Sequence, residues 1–244
     1  MDGKRCFDVV ASICALTVFG PFLTVMMLAI YVHDRHTPIY SATRMGKGGR
    51  PFVMYKIRSM VINAEELGGS STASNDPRIT RLGRYVRKCK LDELSQFWNV
   101  LKGDMSLVGP RPNTVADANL YTQVERGLLV LRPGITDFAS IVFSDEGEIL
   151  KDKQDPDLAY NQIIRPRKNL LGLFYVGHYS VWLDIRLCWL TAITVFSQSR
   201  ALEGIQELLR SLDAPSDLIE FAGRATPLEP LPLPGLNGIA SSTE

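Results

Sequence analysis

Residues 9 to 32, VVASICALTVFGPFLTVMMLAIYV, form an uncharged, mostly apolar run. At about 24 residues it can cross the roughly 30 Å hydrocarbon core of a bilayer. It is too long for the apolar region of a signal peptide, and no A-x-A cleavage pattern follows it. Gly20 and Pro21 stand near its middle, where proline removes a backbone donor and clashes with the carbonyl four residues back. A kink or a complete turn is expected there. Lys4 and Arg5 precede the run, and Arg35, Arg44, Lys47 and Arg50 follow it, so the positive-inside bias orients no span. Two arrangements stay open: a kinked transmembrane anchor, or a broken helix that enters and leaves one leaflet with both ends cytoplasmic. Asp8, one turn inside the apolar boundary, is expected to pair with Lys4 or Arg5.

The chain has 244 residues, of which 45% are hydrophobic, and a net charge of only +1. It can bury a substantial core, and any electrostatic function must come from local clustering. Cys6, Cys14, Cys89 and Cys188 show no CxxC or CxxH spacing, which argues against a zinc site or a disulfide framework and for a reducing environment.

Charge does cluster in one place. From Arg78 the chain reads RITRLGRYVRKCK, with cations at Arg78, Arg81, Arg84, Arg87, Lys88 and Lys90, and then two adjacent acids, Asp92 and Glu93. The cations draw an anionic ligand to the carboxylates. A carboxylate there can bind a metal that bridges to phosphate, or attack phosphorus itself. Leu91, Leu94, Phe97, Trp98 and Leu101 recur at helical spacing, predicting a helix that packs this face inward with the acids at its entrance. N-capping is the competing account of Asp92. The helix start would also offer free N–H groups to a phosphate. Gly103 predicts a stop, and Gly109, Pro110 and Pro112 a stiff loop presenting Arg111 for bidentate anion contacts.

The flanks read less sharply. GKGGRP between alternating segments predicts a small hairpin over 38–60, near Lys47, Lys56 and Arg58. Residues 61–75 begin as a helix and dissolve into GGSSTASN, a loop that either closes over a ligand or merely connects. Trp182, Ile185, Trp189 and Ile193 share one side of residues 179–196, and Asp184 and Arg186 interrupt the apolar run, favouring a helix that lies in an interface or packs on the body. Leu202, Ile205, Leu208, Leu209 and Leu212 predict a further amphipathic helix. The PLEPLPLPGLNG tail predicts disorder.

Gly46-Lys47, KIRSM (56–60), DPRITRLGRYVRK (76–88), LDELSQFWNVLKGDMSLVGPRP (91–112) and RPGIT (132–136) closely resemble the bacterial sugar transferases, the monotopic polyprenyl-phosphate phosphoglycosyl transferases. The resemblance runs from about Lys4 to about Phe196. It implies that Asp92 is the nucleophile that attacks the sugar-linked phosphate of a nucleotide sugar, and that Glu93 is a Mg²⁺ ligand. Arg87 and Arg111 are the implied phosphate-binding positions, assisted by Lys56, Arg58 and Lys47. Lys4, Arg5 and Asp8 match a juxtamembrane motif, and Gly20-Pro21 falls where the family breaks its re-entrant helix. The substrates implied are a UDP-sugar and polyprenyl (undecaprenyl) phosphate, with UMP released. The setting implied is the cytoplasmic face of the bacterial inner membrane among lipids, with downstream glycosyltransferases as possible partners and no nucleic acid.

The expected fold is mainly α with a small β-hairpin (α+β). Residues 1–36 form a proline-broken re-entrant membrane helix, 37–199 a cytoplasmic catalytic domain with interfacial helices, 200–225 an amphipathic helical segment and 226–244 a disordered tail. Two departures stand out. Glycine replaces the serine usual before the helix-breaking proline, and Asp137-Phe138-Ala139-Ser140-Ile141 with SDEGEIL follows RPGIT, a region that either selects the sugar or nucleotide or is an acidic surface loop. Two other functions compete: a glycosyltransferase that uses Asp155-Pro156-Asp157 as a DxD metal motif and releases UDP, and a non-enzymatic adaptor whose basic face binds anionic lipid.

Overall fold

The computed structural model describes residues 3–68 and 71–239. Gly69 and Ser70 of the glycine- and serine-rich loop, and residues 240–244 of the proline-rich tail, lie outside the described residues, as do Met1 and Asp2.

Helix α1, Gly3–Asp34, is 32 residues long and so spans about 48 Å. It runs through Gly20-Pro21 where the sequence predicted a kink or full turn, so no full turn is made. Proline leaves the Thr17 carbonyl without its helical donor. Threonine hydroxyls on either side bond back along the helix, Thr17 Oγ1 to Ile13 O and Thr24 Oγ1 to Gly20 O, each at 2.9 Å, a pattern that bends helices without ending them. One stripe of α1 faces the protein: Asp8 and Ser12 are buried, then Leu16, Leu23, Met27 and Ile30 follow at helical spacing against Ile57, Val86, Leu91 and Leu94. Val10, Ile13, Val18, Val25, Leu28 and Val32 are exposed on the rest.

Both ends of α1 are tied to the same body. Asp8 does not pair with Lys4 or Arg5, as the sequence suggested; it accepts from Ser106 Oγ at 2.9 Å and from the Leu107 N–H at 3.0 Å. Lys4 instead ion-pairs with the fully buried Asp184 and donates to Val108 O at 3.0 Å. Arg5 donates to Val100 O at 2.6 Å and Leu101 O at 3.0 Å. At the far end Asp34 accepts two bonds from Arg58, at 2.6 and 2.7 Å. Tertiary structure supplies stronger partners than sequence neighbours do, because each buried charge needs one.

Strands β1 (Ile39–Met45) and β2 (Pro51–Ile57) form the expected antiparallel hairpin, Ala42 opposite Met54. Residues 62–67 make turns instead of the helix expected there. Arg78 organises this stretch, bonding Asp76 through its guanidinium and Ala64 O at 3.1 Å. Helix α2 (Arg81–Lys88) is capped by Thr80, whose hydroxyl accepts from Gly83 N. A short 3₁₀ turn, Leu91–Glu93, precedes α3 (Gln96–Lys102). Gly103, at φ 92°, ends α3 as its sequence position predicted, since a side chain is strained in that left-handed conformation.

Strands β3 (Ser106–Val108) and β4 (Gly134–Thr136) pair in parallel, with α4 (Val115–Asn119) between them in sequence. They bring SLVGPRP against RPGIT. A Cβ at Gly109 would lie 2.3 Å from Arg132 O, and one at Gly134 would lie 2.1 Å from Gly109 N, so this approach requires glycine on both sides. The core gathers around α5 (Phe138–Val142), in which Phe138, Ile141 and Val142 are fully buried. Short helices α6 (Glu146–Leu150) and α7 (Pro156–Ala159) follow, then a π turn, Tyr160–Ile164, leading into α8 (Arg165–His178). Helix α9 (Val181–Phe196) buries Leu183, Asp184 and Leu187 and exposes Trp182, Ile185, Trp189 and Phe196. Arg186 lies 4.9 Å from the Trp182 ring. Helix α10 (Gln198–Ser211) buries Ala201, Ile205, Leu208 and Leu209 and packs with α11 (Ser216–Ala222) on the body. The described tail lies along the surface, with Leu231 N donating to Gln162 O at 2.9 Å and Thr122 Oγ1 to Pro234 O at 2.6 Å.

Candidate active site

The acidic pair stands on the 3₁₀ turn rather than at a helix entrance. Lys90 precedes it in the left-handed region, φ 53°, so the backbone turns sharply out of α2 before the two acids. Asp92 caps nothing: α3 begins at Gln96, and among the described residues the Asp92 side chain makes no hydrogen bond. Part of the amide cradle expected at a helix start is taken up within the turn. The Glu93, Leu94, Phe97 and Trp98 N–H groups are taken up by carbonyls three residues back. Cationic side chains add charge attraction for phosphate.

Those side chains are set by β2, α2 and the proline loop. Asn99, fully buried, accepts from Tyr55 N at 3.0 Å and donates to Val53 O at 2.6 Å, which fastens β2 to α3 and carries Lys56 beside the dyad. The sequence expected Trp98 inside; it is 55% exposed, and Gln96, Asn99 and Val100 face inward because this face of α3 must satisfy the β2 backbone. The six basic residues of the 78–90 run separate in space. Arg78 is spent on its loop, and Arg81, Arg84 and Lys88 are exposed. Arg87 and Lys90 are half-buried; Arg87 Nε donates to Ser59 Oγ at 3.2 Å, and Lys90 Nζ lies 3.5 Å from Ser140 O. From the proline loop, Arg111 forms an ion pair with Glu93.

Lys56, Arg87, Lys90 and Arg111 therefore surround the two carboxylates. Burial alone would raise the Glu93 carboxyl, but Arg111, Lys56 and Lys90 together outweigh it and hold the group down at about 2. Burial also dominates at Asp92 and, with Glu93 beside it, pushes that carboxyl above the ordinary aspartate range despite Lys56, Arg111 and Arg87. The environment pushes the two acids in opposite directions, as expected where two carboxylates do different work. Burial in turn lowers the Lys56 and Lys90 ammoniums, while Asp92 and Glu93 work in the opposite direction.

Not every expected residue joins them. Arg58 is committed to Asp34 and to Thr37 O, at 2.7 Å, and so holds the end of α1 instead of a phosphate. Lys47 is exposed in the hairpin turn and lines a separate open groove with Arg126, Ala118 and Val130. Lys4, Arg5 and Asp8 are anchors of α1, and Gly20-Pro21 lies within that helix. The sequence placed Lys90 in the basic run but not among the phosphate-binding positions. Asp137 and Glu146 lie in the segment after RPGIT that the sequence left open between sugar or nucleotide selection and an acidic surface loop, and Lys168 was not singled out; all three lie close enough to affect Arg111 electrostatically. Nothing local marks Lys168, which α8 brings in.

Asp155 and Asp157 of the DxD-like triplet are occupied structurally. Asp155 caps α7, accepting from Leu158 N at 2.9 Å, and Asp157 accepts from Ser71 N at 2.6 Å. Among the described residues no three acidic, histidine or cysteine side chains converge. Asp92 and Glu93 are the carboxylates that could hold Mg²⁺, an ion that takes one or two carboxylates and completes its shell with substrate phosphate and water. Glu93, held ionised and 18% exposed, suits that use.

A profile of the family described as "Bacterial sugar transferase" matches residues 2–198. Among curated proteins, the chain is 37% identical over 195 residues to "Undecaprenyl-phosphate glucose phosphotransferase" of Komagataeibacter xylinus, covering 77% of this chain and 35% of that protein. It is 34% identical over 202 residues to "UDP-glucose:undecaprenyl-phosphate glucose-1-phosphate transferase" of Escherichia coli K12, covering 81% and 41%. It is 32% identical over 202 residues to "UDP-N-acetylgalactosamine-undecaprenyl-phosphate N-acetylgalactosaminephosphotransferase" of Aeromonas hydrophila, covering 80% and 44%. The chain thus spans less than half the length of these relatives, and their sugars differ.

Proposed function

The chain belongs to the bacterial sugar transferase family, and from that premise we propose that it transfers the phosphosugar of a UDP-sugar to undecaprenyl phosphate. The observation that carries this reading is the half-buried Asp92-Glu93 pair enclosed by Lys56, Arg87, Lys90 and Arg111, beside an apolar helix. A carboxylate oxygen of Asp92 attacks the sugar-linked phosphorus. The phosphorus–oxygen bond to the nucleotide phosphate breaks, and UMP leaves with the electron pair. A phosphate oxygen of undecaprenyl phosphate then attacks the same phosphorus, breaks the bond to Asp92 and restores the carboxylate, leaving a polyprenyl-diphospho-sugar. The four cations neutralise the diphosphate as it approaches two acids, which otherwise repel it. Mg²⁺, held by Glu93 and substrate oxygens, would supply further neutralisation of phosphate charge.

Incubating the purified protein with a panel of UDP-sugars, Mg²⁺ and undecaprenyl phosphate should release UMP with one or a few sugars. Release of UDP would mean ordinary glycosyl transfer and overturn the mechanism.

The membrane arrangement we infer is monotopic. Lys4, Arg5 and Asp8 at one end of α1 and Asp34 at the other bind the same polar body, and the stripe from Leu16 to Ile30 packs on the elements that carry the dyad. A helix crossing the bilayer separates its ends by a membrane. Here the exposed side of α1 and the Trp182, Trp189 and Phe196 side of α9 supply apolar and aromatic surface suited to one leaflet, placing the dyad near the lipid phosphate. In a cysteine-free background, single cysteines at positions 3 and 36 should both label from the cytoplasmic side only. Labelling from opposite sides would establish a span.

A further inference from the structure

The mechanism leaves one charged cluster beside the dyad unused. Glu146, at the start of α6, forms an ion pair with Lys168 of α8, and the Lys168 ammonium also lies 5.4 Å from the centre of the Tyr160 ring. The Glu146 and Lys168 side chains are 28% and 14% exposed, so the pair is sheltered but reachable. It borders the cations around the dyad: Arg111, whose proton affinity is raised chiefly by Glu93, is also within electrostatic reach of Glu146, and Lys90, lowered chiefly by burial, is within reach of Lys168. The α5 start links the two regions, since Lys90 Nζ approaches Ser140 O at 3.5 Å and Ser140 N donates to Asp137 at 2.7 Å. None of the three residues lies in the motifs that hold the dyad.

We propose that Glu146, Lys168 and Tyr160 form the wall that recognises the hydroxyl groups of the donor sugar, an inference that rests on the phosphosugar-transfer reading above. A carboxylate beside arginines already needed for the diphosphate repels phosphate. It suits neutral hydroxyls, from which it accepts hydrogen bonds while the ammonium donates to them. The Tyr160 ring packs on the core and carries the Lys168 ammonium 5.4 Å from its centre, so it fixes where that donor stands. The wall is built rigidly. The π turn sets Tyr160 under Lys168, with Leu231 of the tail donating to Gln162 O at 2.9 Å. Arg224, from beyond the family match, donates to Asp145 at 2.9 and 3.2 Å and to Val142 O at 3.1 Å, fixing the segment that bears Glu146. Ser74 N donates to Gly147 O at 2.9 Å, so the loop after Ser71 closes its outer edge.

The test compares kcat/KM for UMP release from UDP-glucose, UDP-galactose and their N-acetylated counterparts, in the full chain and in Glu146→Gln and Lys168→Met. Both variants should lower the ratio between the preferred sugar and its C4 epimer or acetamido analogue by about 10-fold or more, because a site built to bond a hydroxyl discriminates strongly while the bond survives. Affinity for UMP, which lacks the sugar, should change less than about 2-fold. The ratio is read on one preparation, so a partly unfolded variant cancels out of it. An unchanged ratio in both variants, with activity lost uniformly or not at all, overturns the wall; so does a loss of UMP affinity equal to the loss of kcat/KM. Failure of the unsubstituted protein to release UMP from any sugar overturns the transferase reading, and the wall with it.

Discussion

Asp92→Asn should abolish UMP release while leaving the protein as stable as before, or slightly more so. Removing a covalent nucleophile typically costs about 10⁴-fold or more in kcat. The stability expectation follows from the sign of the Asp92 shift. Its carboxyl is raised above the unfolded value, so at neutral pH the fold holds a charge it disfavours, and the neutral amide relieves that cost. No side-chain hydrogen bond of Asp92 is lost among the described residues, because the residue caps no helix. Gain of stability with loss of function is the signature of a group kept for chemistry. With donor sugar and no lipid acceptor, the unsubstituted protein should release at most one UMP per chain and gain the mass of one phosphosugar. Residual turnover above about 1% in Asp92→Asn, or a mass gain in that variant, would remove Asp92 from the covalent role.

Arg111→Ala should fall on both activity and stability. Its guanidinium is the ion-pair partner of Glu93 and stands on the loop fixed by the β3–β4 approach, with Gly134 N donating to Pro110 O at 3.1 Å. Loss of one preorganised cation at developing phosphate charge should lower kcat/KM about 10² to 10³-fold. Breaking a buried pair costs about 3–5 kcal/mol. Because Arg111 is 32% exposed and Lys56 and Lys90 remain beside Glu93, about 1–2 kcal/mol is expected here. Arg111→Lys keeps the charge and loses the fork, and should fall between. A double-mutant cycle with Glu93→Gln should return a coupling above about 0.5 kcal/mol. Independence of the two, together with kcat/KM within about 3-fold of the unsubstituted protein, would take the proline loop out of the site.

Reading from residues to space worked where the signal was local. Gly103 after α3 and GKGGRP between the strands each act through their own backbone, and each stands where expected. It failed where a partner came from far along the chain. Asp8 looked like a mate for Lys4, yet buried Asp184 takes the lysine and Ser106 takes the aspartate, because burial demands the best-desolvated partner whatever its sequence distance. Trp98 looked like core and is exposed; the inward side of α3 carries Asn99, whose amide satisfies β2. Arg58 looked like a phosphate ligand and clamps Asp34.

The amino-acid sequence by itself determined the long apolar helix, the stiff loop bearing Arg111 and the adjacency of Asp92 and Glu93, since each is a matter of composition or of neighbouring residues. Only the tertiary structure decided which cations serve that pair. Six basic residues precede it, but α2 turns Arg81, Arg84 and Lys88 to solvent, the left-handed Lys90 folds inward, and β2 and the proline loop deliver Lys56 and Arg111. Selection among like charges depends on direction and burial, and neither is fixed until the helices and strands that carry them have packed.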